Sequence, residues 1–221
     1  MKDIAIFGAG GMGEFEAHTG LIHRINNAAD APIWNLIGFY DDGIAIGEVN
    51  EFGAILGGIE ELNRREEELS IVLAVGHPQT LARIRQRITN NHISYPNLID
   101  PTVECWHPDT FSIGEGNIIC PHCHFSCNVR LGNFNILNGD ISLRHDVCLG
   151  DGNALMPGVK LSGGVCMGDR NFLGINAAVA QYLKVGNDNR IGAGAILLDD
   201  TQEDGGLYIG VPARMKSSHN T

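Results

Sequence analysis

The chain has 221 residues, of which 43% are hydrophobic and 29 are glycine, and its formal net charge at pH 7 is −11. This length suits one large domain or two modest ones, and it is enough to bury a real hydrophobic core. The negative charge argues against a general nucleic-acid binder, which needs a basic face.

The sequence also indicates a cytoplasmic protein. Residues 1–7 are too few and too quickly charged for a signal peptide, and no apolar run approaches the roughly 20 residues that cross a bilayer. The six cysteines are then expected to be thiols, since cytoplasmic proteins rarely contain disulfides. We expect neither a membrane nor a nucleic acid among the partners.

Residues 1–100 predict a small α/β domain with a parallel, Rossmann-like sheet, because short strands alternate with helices. The expected strands cover residues 3–7, 33–40 and 71–75, and the expected helices run up to residue 25 and over residues 59–69 and 79–88. Residues 97–101 begin the link to a second domain.

A glycine motif follows the first predicted strand. Gly8, Gly10 and Gly13 match G-x-G-x-x-G between a strand and a helix, where backbone N–H groups receive a phosphate. Asp41 or Asp42, after the second strand, is a candidate acceptor for a ribose or base. Only half of a dinucleotide fold fits into this domain, so we expect one nucleotide moiety and not a nicotinamide dehydrogenase. The alternative is a glycine turn that only lets helix and strand pack.

A six-residue repeat dominates the second half of the chain. Every sixth residue from Ile113 to Leu197 is apolar, fifteen positions in all, and an α-helix with 3.6 residues per turn cannot keep that period on one face. Three hexads would form one triangular coil, with successive coils paired as parallel strands about 4.8 Å apart. Residues 101–221 are therefore predicted to form an all-β parallel β-helix with a C-terminal tail. A second period of eighteen predicts an amide ladder of Asn117, Asn135, Asn153, Asn171 and Asn189.

His145 is the candidate catalytic base in these coils. Its neighbour Asp146 can orient the imidazole, which accepts a proton near neutrality. Gly163 lies eighteen residues further on, so its backbone should stack over the histidine one coil away. With Gly164, it leaves room for a thioester carbonyl to meet a backbone N–H.

The segment 120–127 contains three cysteines and two histidines and has the composition of a metal site. A zinc site needs converging ligands, whereas strand and turn geometry sends these side chains in different directions. We therefore expect buried thiols, surface histidines and no metal. Cys148 and Cys166 are expected to stack one coil apart. A β-helical carbonic anhydrase is not favoured, since His145 has no histidine one coil away.

The hexad pattern resembles that of the hexapeptide-repeat acyltransferases, whose β-helix is left-handed and which are usually homotrimers with active sites between subunits. Segment 138–146 resembles the Asn-x6-His-(Glu/Asp) signature of bacterial nucleotide-sugar acetyltransferases. That family includes the sialic acid O-acetyltransferases and the UDP-4-amino-sugar N-acetyltransferases of bacillosamine synthesis. The resemblance covers nearly the whole chain, through residues 8–13, 40–42, 74–76, 172–176 and 210–214.

The resemblance implies a role for individual residues. His145 would be the general base, Asp146 would orient it and raise its basicity, and Asn138 would help to orient the site. The oxyanion contact would come from Gly163, and the remaining coenzyme A positions would be Ala154, Ile175 and Ala193. The nucleotide-sugar positions would be Gly10, Gly11, Met12, Asp41, Asp42, Gly76 and Gln79.

Two residues depart from the family pattern. Met12 stands where the bacillosamine-type enzymes have a histidine that reaches the sugar nucleotide, which leaves the sugar and the nucleotide open. Ala154 replaces another histidine, near coenzyme A, and this change is expected to leave the chemistry intact.

The leading hypothesis is an acetyl-CoA-dependent acetyltransferase that acts on the amino group of a nucleotide-linked sugar. The alternatives within the class are acetylation of a sugar hydroxyl and transfer to a small amino acid such as serine. Outside the class, the alternatives are a non-catalytic, nucleotide-binding trimeric scaffold and a protein that binds a nicotinamide at residues 8–13.

Overall fold

The computed structural model describes residues 1–8, 12–201 and 203–218. The chain divides into two units. The first consists of Met1–Gly76 and Thr80–Pro101, and the second starts at Thr102 and includes His77–Gln79. The described helices are all too short or too polar to span a bilayer.

The first unit contains a sheet whose strands, in chain order, are β1 (Lys2–Phe7), β2 (Trp34–Tyr40), β3 (Val49–Asn50), β4 (Gly53–Gly57), β5 (Leu69–Leu73) and β6 (Ile93–Ser94). Their order across the sheet is β3-β4-β2-β1-β5-β6, and all neighbours are parallel except β3 and β4. The helices are α1 (Met12–Ala28), α2 (Ile59–Arg64) and α3 (Pro78–Arg87), and a short strand, β7 (Leu98–Ile99), follows.

The central strands explain why this sheet forms. Residues 4–7 of β1 and all of β5 are buried, as expected for parallel strands covered on both faces. The α/β prediction is confirmed, with differences in individual elements. The helix predicted over residues 59–69 ends at Arg64, because Leu69 already belongs to β5, which pairs with β1. The hairpin of β3 and β4 and the short strand β6 were not predicted, and the strand predicted over residues 71–75 lies at Leu69–Leu73.

The second unit is a parallel β-helix built from two-residue strands. They are β8 (Glu104–Cys105), β9 (Ser112–Ile113), β10 (Ile118–Ile119), β11 (His124–Phe125), β12 (Arg130–Leu131), β13 (Ile136–Leu137), β14 (Ser142–Leu143), β15 (Cys148–Leu149), β16 (Ala154–Leu155), β17 (Lys160–Leu161), β18 (Cys166–Met167), β19 (Phe172–Leu173), β20 (Ala178–Val179), β21 (Lys184–Val185), β22 (Arg190–Ile191) and β23 (Ile196–Leu197). A 3₁₀ turn, Pro108–Thr110, precedes β9. The strands β24 (Gly206–Ile209) and β25 (Arg214–Ser218) pair antiparallel at the C-terminal end.

Three sheets form the three sides of each coil. They are β9-β12-β15-β18-β21, β8-β11-β14-β17-β20-β23 and β10-β13-β16-β19-β22-β24. Strands of successive coils pair in parallel with a constant offset, as in Leu131 with Leu149 and Leu143 with Leu161. The predicted eighteen-residue coil is confirmed.

The predicted hexad positions fill the interior of the coils. From Ile119 to Leu197 every one of them is at most 5% exposed, and only Ile113 in the first full coil is less buried. Burial of one such aliphatic side chain stabilises a fold by about 1.5–3 kcal/mol. The second residue of each two-residue strand therefore drives the winding.

The predicted asparagine ladder is present and is at most 1% exposed. The Oδ1 atom of Asn135 accepts hydrogen bonds from the backbone N–H of Asn153, at 2.9 Å, and from its Nδ2, at 3.0 Å. The same pair of bonds joins Asn153 to Asn171. Since buried amides must be hydrogen bonded, the ladder fixes the register of one coil on the next.

Each coil turns through a left-handed residue at each of its three corners, with φ between 53° and 79°. The first corner has Gly116, Phe134, Gly152, Arg170 and Asp188; the second has His122, Asp140, Gly158, Asn176 and Gly194; the third has Asn128, Asp146, Gly164 and Tyr182. Side chains next to these turns form columns along the outside of the β-helix.

Leu143→Asp is expected to prevent folding of the second unit, because Leu143 is fully buried. An unpaired carboxylate there would cost several kcal/mol, out of about 5–15 kcal/mol that stabilise a domain. Soluble yield and thermal unfolding followed by circular dichroism measure the effect. Lys160→Asp is the matched control, since Lys160 is the exposed outer residue of the neighbouring strand in the same sheet. Equal melting temperatures for the two variants would contradict this account of the interior.

Candidate active site

His145 lies at the third corner of the β-helix, immediately before the left-handed residue Asp146. Cys127 occupies the same position one coil earlier and Gly163 one coil later. Backbone hydrogen bonds from Asp146 N–H to Cys127 O, at 2.9 Å, and from Gly164 N–H to His145 O, at 2.8 Å, hold this column together. The stacking of Gly163 on His145 that the repeat predicted is therefore present.

The imidazole of His145 is held by a carboxylate. Its Nδ1 lies 2.9 Å from Oδ2 of Asp146, whose other oxygen, Oδ1, accepts a hydrogen bond of 2.8 Å from Nδ2 of Asn128. These two contacts lower the pKa of the Asp146 carboxyl, which therefore remains ionised near neutral pH. An ionised carboxylate only accepts, so Nδ1 carries the proton and Nε2 has the free electron pair. With its side chain 48% exposed, His145 is open to a substrate.

Gly163 borders the free nitrogen of this histidine. A Cβ atom at position 163 would overlap with Nε2 and Cε1 of His145, so only glycine leaves the imidazole in place. The Gly163 N–H finds no acceptor within the described residues. A base and an unused N–H donor therefore lie side by side, as acyl transfer to a nucleophile requires.

Asn138 does not lie beside His145 in the same chain. It precedes the turn of Gly139 and Asp140 at the second corner, and its Nδ2 donates to Sδ of Met156 at 3.9 Å. One whole side of the coil separates the second corner from the third. Its part in orienting the site remains a prediction.

The other predicted coenzyme A positions are spread over two surfaces. Ile175, which is 50% exposed, and Ala193 lie at the second corner in successive coils, joined by the hydrogen bond from Gly194 N–H to Ile175 O. Ala154 belongs to β16 and is only 2% exposed, so it has almost no open surface in this chain. The assignment of these residues to coenzyme A remains a prediction.

The predicted nucleotide-sugar positions follow three neighbouring strands of the first unit. β2, β1 and β5 are adjacent and parallel, and Asp41, Gly8 and Gly76 come after their carboxyl ends. Ligands of open parallel sheets bind at this edge. Gly8 needs to be glycine, because its φ is 109° and a Cβ would overlap with the carbonyl oxygen of Ala74. Gly10 and Gly11 lie outside the described residues, and Met12 is the first residue of α1.

Several of these candidate side chains already have structural partners. Asp42 accepts a hydrogen bond of 2.8 Å from the N–H of Ile59, at the start of α2, and forms an ion pair of 2.7 Å with Arg87. Oδ1 of Asp41 accepts from the N–H of Gly43 at 2.7 Å. The third of these side chains, Gln79, donates a hydrogen bond from Nε2 to Oδ1 of Asp188 at 3.4 Å. Asp42 in particular holds α2 and α3, a role that the sequence did not reveal.

The cysteine- and histidine-rich segment is dispersed. Cys123 is buried, which raises the pKa of its thiol to about 12, whereas His122 is exposed at the second corner. Across the described part of the chain, no three His, Cys, Asp or Glu side chains are placed to share a metal ion. Cys148 and Cys166 pair directly in adjacent coils, as predicted.

Two residues of the third corner were not recognised in the sequence. Asn128 fixes the carboxylate of Asp146, and the ring of Tyr182 lies against Gly164 near His145. Both stand at eighteen-residue multiples from Asp146. The eighteen-residue spacing that located Gly163 would therefore have found both residues, if it had been counted from Asp146 toward both ends of the chain.

Comparisons with known proteins agree with this architecture. Residues 3–89 match the family model of the PglD N-terminal domain. Among curated proteins, none has a sequence that matches the chain significantly.

Similar structures cover almost the entire chain. The acetyltransferase domain of PglB from Neisseria gonorrhoeae is 25% identical, with a TM-score of 0.85, and the match covers 98% of this chain and 100% of that one. PerB from Caulobacter crescentus, solved with CoA and GDP-perosamine, is 25% identical, with a TM-score of 0.82 and coverage of 98% of both chains. WeeI from Acinetobacter baumannii is 20% identical, with a TM-score of 0.82 and coverage of 98% and 100%, and shows the likeness of fold.

The fold and its similarity to the PglB and PerB structures identify an acyltransferase of the hexapeptide-repeat class, with a left-handed β-helix. Residues 3–89 form a domain of the PglD N-terminal type, and the chain as a whole is similar to bacterial acetyltransferases such as PerB, which was solved with a nucleotide sugar.

Gly163→Ala is expected to lower kcat by about 10²-fold, because the added methyl group displaces the imidazole and misplacement by about 1 Å costs this much. The fold should be retained, since φ at Gly163 lies outside the left-handed region. Steady-state rates of CoA release and the melting temperature measure both effects. Gly20→Ala is the control, because a Cβ at Gly20 in α1 meets only open space. Unchanged rates in Gly163→Ala would show that His145 does not act where the structure places it.

Proposed function

We propose that the protein transfers the acetyl group of acetyl-CoA to the amino group of a nucleotide-linked sugar, with His145 as general base. The observation that carries the proposal is the contact of His145 Nδ1 with the Asp146 carboxylate, which leaves Nε2 beside Gly163. PerB, bound to CoA and GDP-perosamine, and the PglB domain, solved with acetyl coenzyme A, support the choice of substrates.

Direct transfer in a ternary complex accounts for every atom. The neutral amine attacks the thioester carbonyl, and Nε2 of His145 takes the proton that the nitrogen loses. The N–H of Gly163 donates to the oxyanion of the tetrahedral intermediate. The C–S bond then breaks, and the imidazolium returns its proton to the CoA sulfur. Asp146 stabilises the imidazolium, and no cysteine has to act as nucleophile.

The two domains would divide the work. Residues 1–100 would hold the nucleotide sugar at the carboxyl edge of β2, β1 and β5, with the backbone of the glycine turn facing its phosphates. Residues 101–221 would hold acetyl-CoA and perform the transfer. Asp41 and Asp42, which follow β2 at this edge, would be the candidate acceptors for the ribose or base.

The distribution of the site over two corners favours a homotrimer. His145 and Gly163 lie at the third corner, whereas Asn138, Ile175 and Ala193 lie at the second. A threefold arrangement, in which the second corner of one copy meets the third corner of its neighbour, would join all five residues in one cleft. Such heterologous contacts close into a ring when the rotation is 120°.

A cytoplasmic location follows from the same proposal. Acetyl-CoA and nucleotide sugars are cytoplasmic metabolites, and all six cysteines are free thiols, which suits a reducing compartment.

His145→Ala is expected to lower kcat by about 10²–10⁴-fold, the usual contribution of a general base, with little change in melting temperature. The assay is thiol release from acetyl-CoA with a panel of UDP-, GDP- and dTDP-linked amino sugars and hydroxyl sugars. His92→Ala is the matched control, because it removes an exposed histidine of the first unit, outside the β-helix. Full activity in His145→Ala would disprove the mechanism, and a wild-type protein that acetylates no amino sugar of the panel would disprove the acceptor class.

Mixed oligomers test the shared site. If Asn138 serves the His145 of a neighbouring copy, co-expression of His145→Ala and Asn138→Ala chains should restore up to about a quarter of the wild-type activity, the fraction of random interfaces with both residues intact. A site confined to one chain would leave the mixture no more active than the average of the two variants.

A further inference from the structure

Tyr182 occupies the third corner one coil beyond Gly164 and two coils beyond Asp146. Its N–H donates to the carbonyl oxygen of Gly163 at 2.8 Å, and its ring lies so close to Gly164 that a Cβ there would overlap with it. The ring centroid is 6.5 Å from that of His145, with an interplanar angle of 61°. The side chain therefore extends back along the corner towards the catalytic base.

Phe134 packs in the same way as Tyr182, at another corner of the β-helix. It is a left-handed corner residue with a φ of 54°, like Tyr182 with 61°, and its ring lies against Gly116 one coil earlier. An aromatic ring folded over the preceding glycine is thus a packing device of the coils. What distinguishes Tyr182 is that its ring, 68% exposed, borders the imidazole of His145.

The reaction geometry places the acyl group beside this ring. The nucleophile must lie within hydrogen-bonding reach of His145 Nε2, about 2.6–3.2 Å, and roughly 3–3.5 Å from the carbonyl carbon. The carbonyl oxygen must lie about 3 Å from the N–H of Gly163. The carbonyl group is thereby confined to the outer surface of Gly163, between the imidazole of one coil and the Tyr182 ring of another.

We propose that the Tyr182 ring is the wall against which the acyl group of the donor packs, and that it limits this group to the size of an acetyl. The inference rests on the proposed acetyl transfer and adds a residue that determines donor specificity. A methyl group on the outer surface of Gly163 would end at the ring, whereas a longer chain has to displace it. Discrimination by one methylene in such a pocket amounts to about 10–200-fold.

The position of Tyr182 along the β-helix assigns it to the donor and not to the acceptor. Ile175 and Ala193, the predicted coenzyme A positions at the second corner, precede and follow Tyr182 in the chain. All three lie in coils C-terminal to His145. A donor that runs past Ile175 and Ala193 to reach the base would bring its thioester end to the level of Tyr182.

The test compares acetyl-, propionyl- and butyryl-CoA with one fixed acceptor. In Tyr182→Ala, the ratio of kcat/KM for butyryl-CoA to that for acetyl-CoA is expected to rise at least about tenfold, while KM for the acceptor stays within about twofold. Tyr182→Phe keeps the ring and should keep the wild-type ratio. The control is Phe134→Ala, which removes the equivalent ring at another corner and should leave the ratio unchanged.

Two results would overturn the inference. One is a Tyr182→Ala enzyme that is active with the wild-type acyl-chain profile, and the other is a change in KM for the acceptor instead of the donor ratio. A wild-type protein that transfers no acyl group at all would overturn the proposed function along with it, so the two failures are distinguishable. The ¹H NMR shift of the His145 Cε1 proton checks the contact without activity, because loss of the aromatic ring current in Tyr182→Ala must move it.

Discussion

The constant eighteen-residue length of a coil is the constraint on which the rest of the second unit depends. Every strand from β9 to β23 pairs with its counterpart eighteen residues away, and the buried amides of Asn135 and Asn153 repeat the same offset. In a parallel ladder, a slip of one residue would exchange the inner and outer faces of every later strand. The aliphatic interior and the asparagine ladder oppose any such slip.

The candidate active site results from the regular stacking of coils. Residues that are distant in sequence become neighbours because they stand one coil apart, as Asn128 does from Asp146 and His145 from Gly163. The site therefore needs no special loop. Its requirements are met by residue choice within a regular column: a carboxylate next to the histidine, an amide below the carboxylate, and a glycine where any side chain would push the imidazole away.

The triangular cross-section also separates two residues of the predicted site. Asn138 and His145 are seven residues apart, yet they lie at different corners, because the strand Ser142–Leu143 runs between them. A rigid coil cannot bend to close that distance. In the proposed homotrimer, a neighbouring copy would bring its Asn138 to the His145 of this chain, so that assembly would serve the chemistry as well as stability.

By itself, the sequence determined the winding of the β-helix, its interior, the asparagine ladder and the alignment of His145 with Gly163, because a repeat without insertions converts residue number directly into position. Only the tertiary structure decided how side chains are used between elements. Asp42 holds Ile59 and Arg87, and Ala154 is buried on an outer face. Helix α2 stops at Arg64, because pairing with β1 requires an extended β5. The residues in these contacts are not related by the six- or eighteen-residue repeat, so the repeat pattern of the sequence could not predict them.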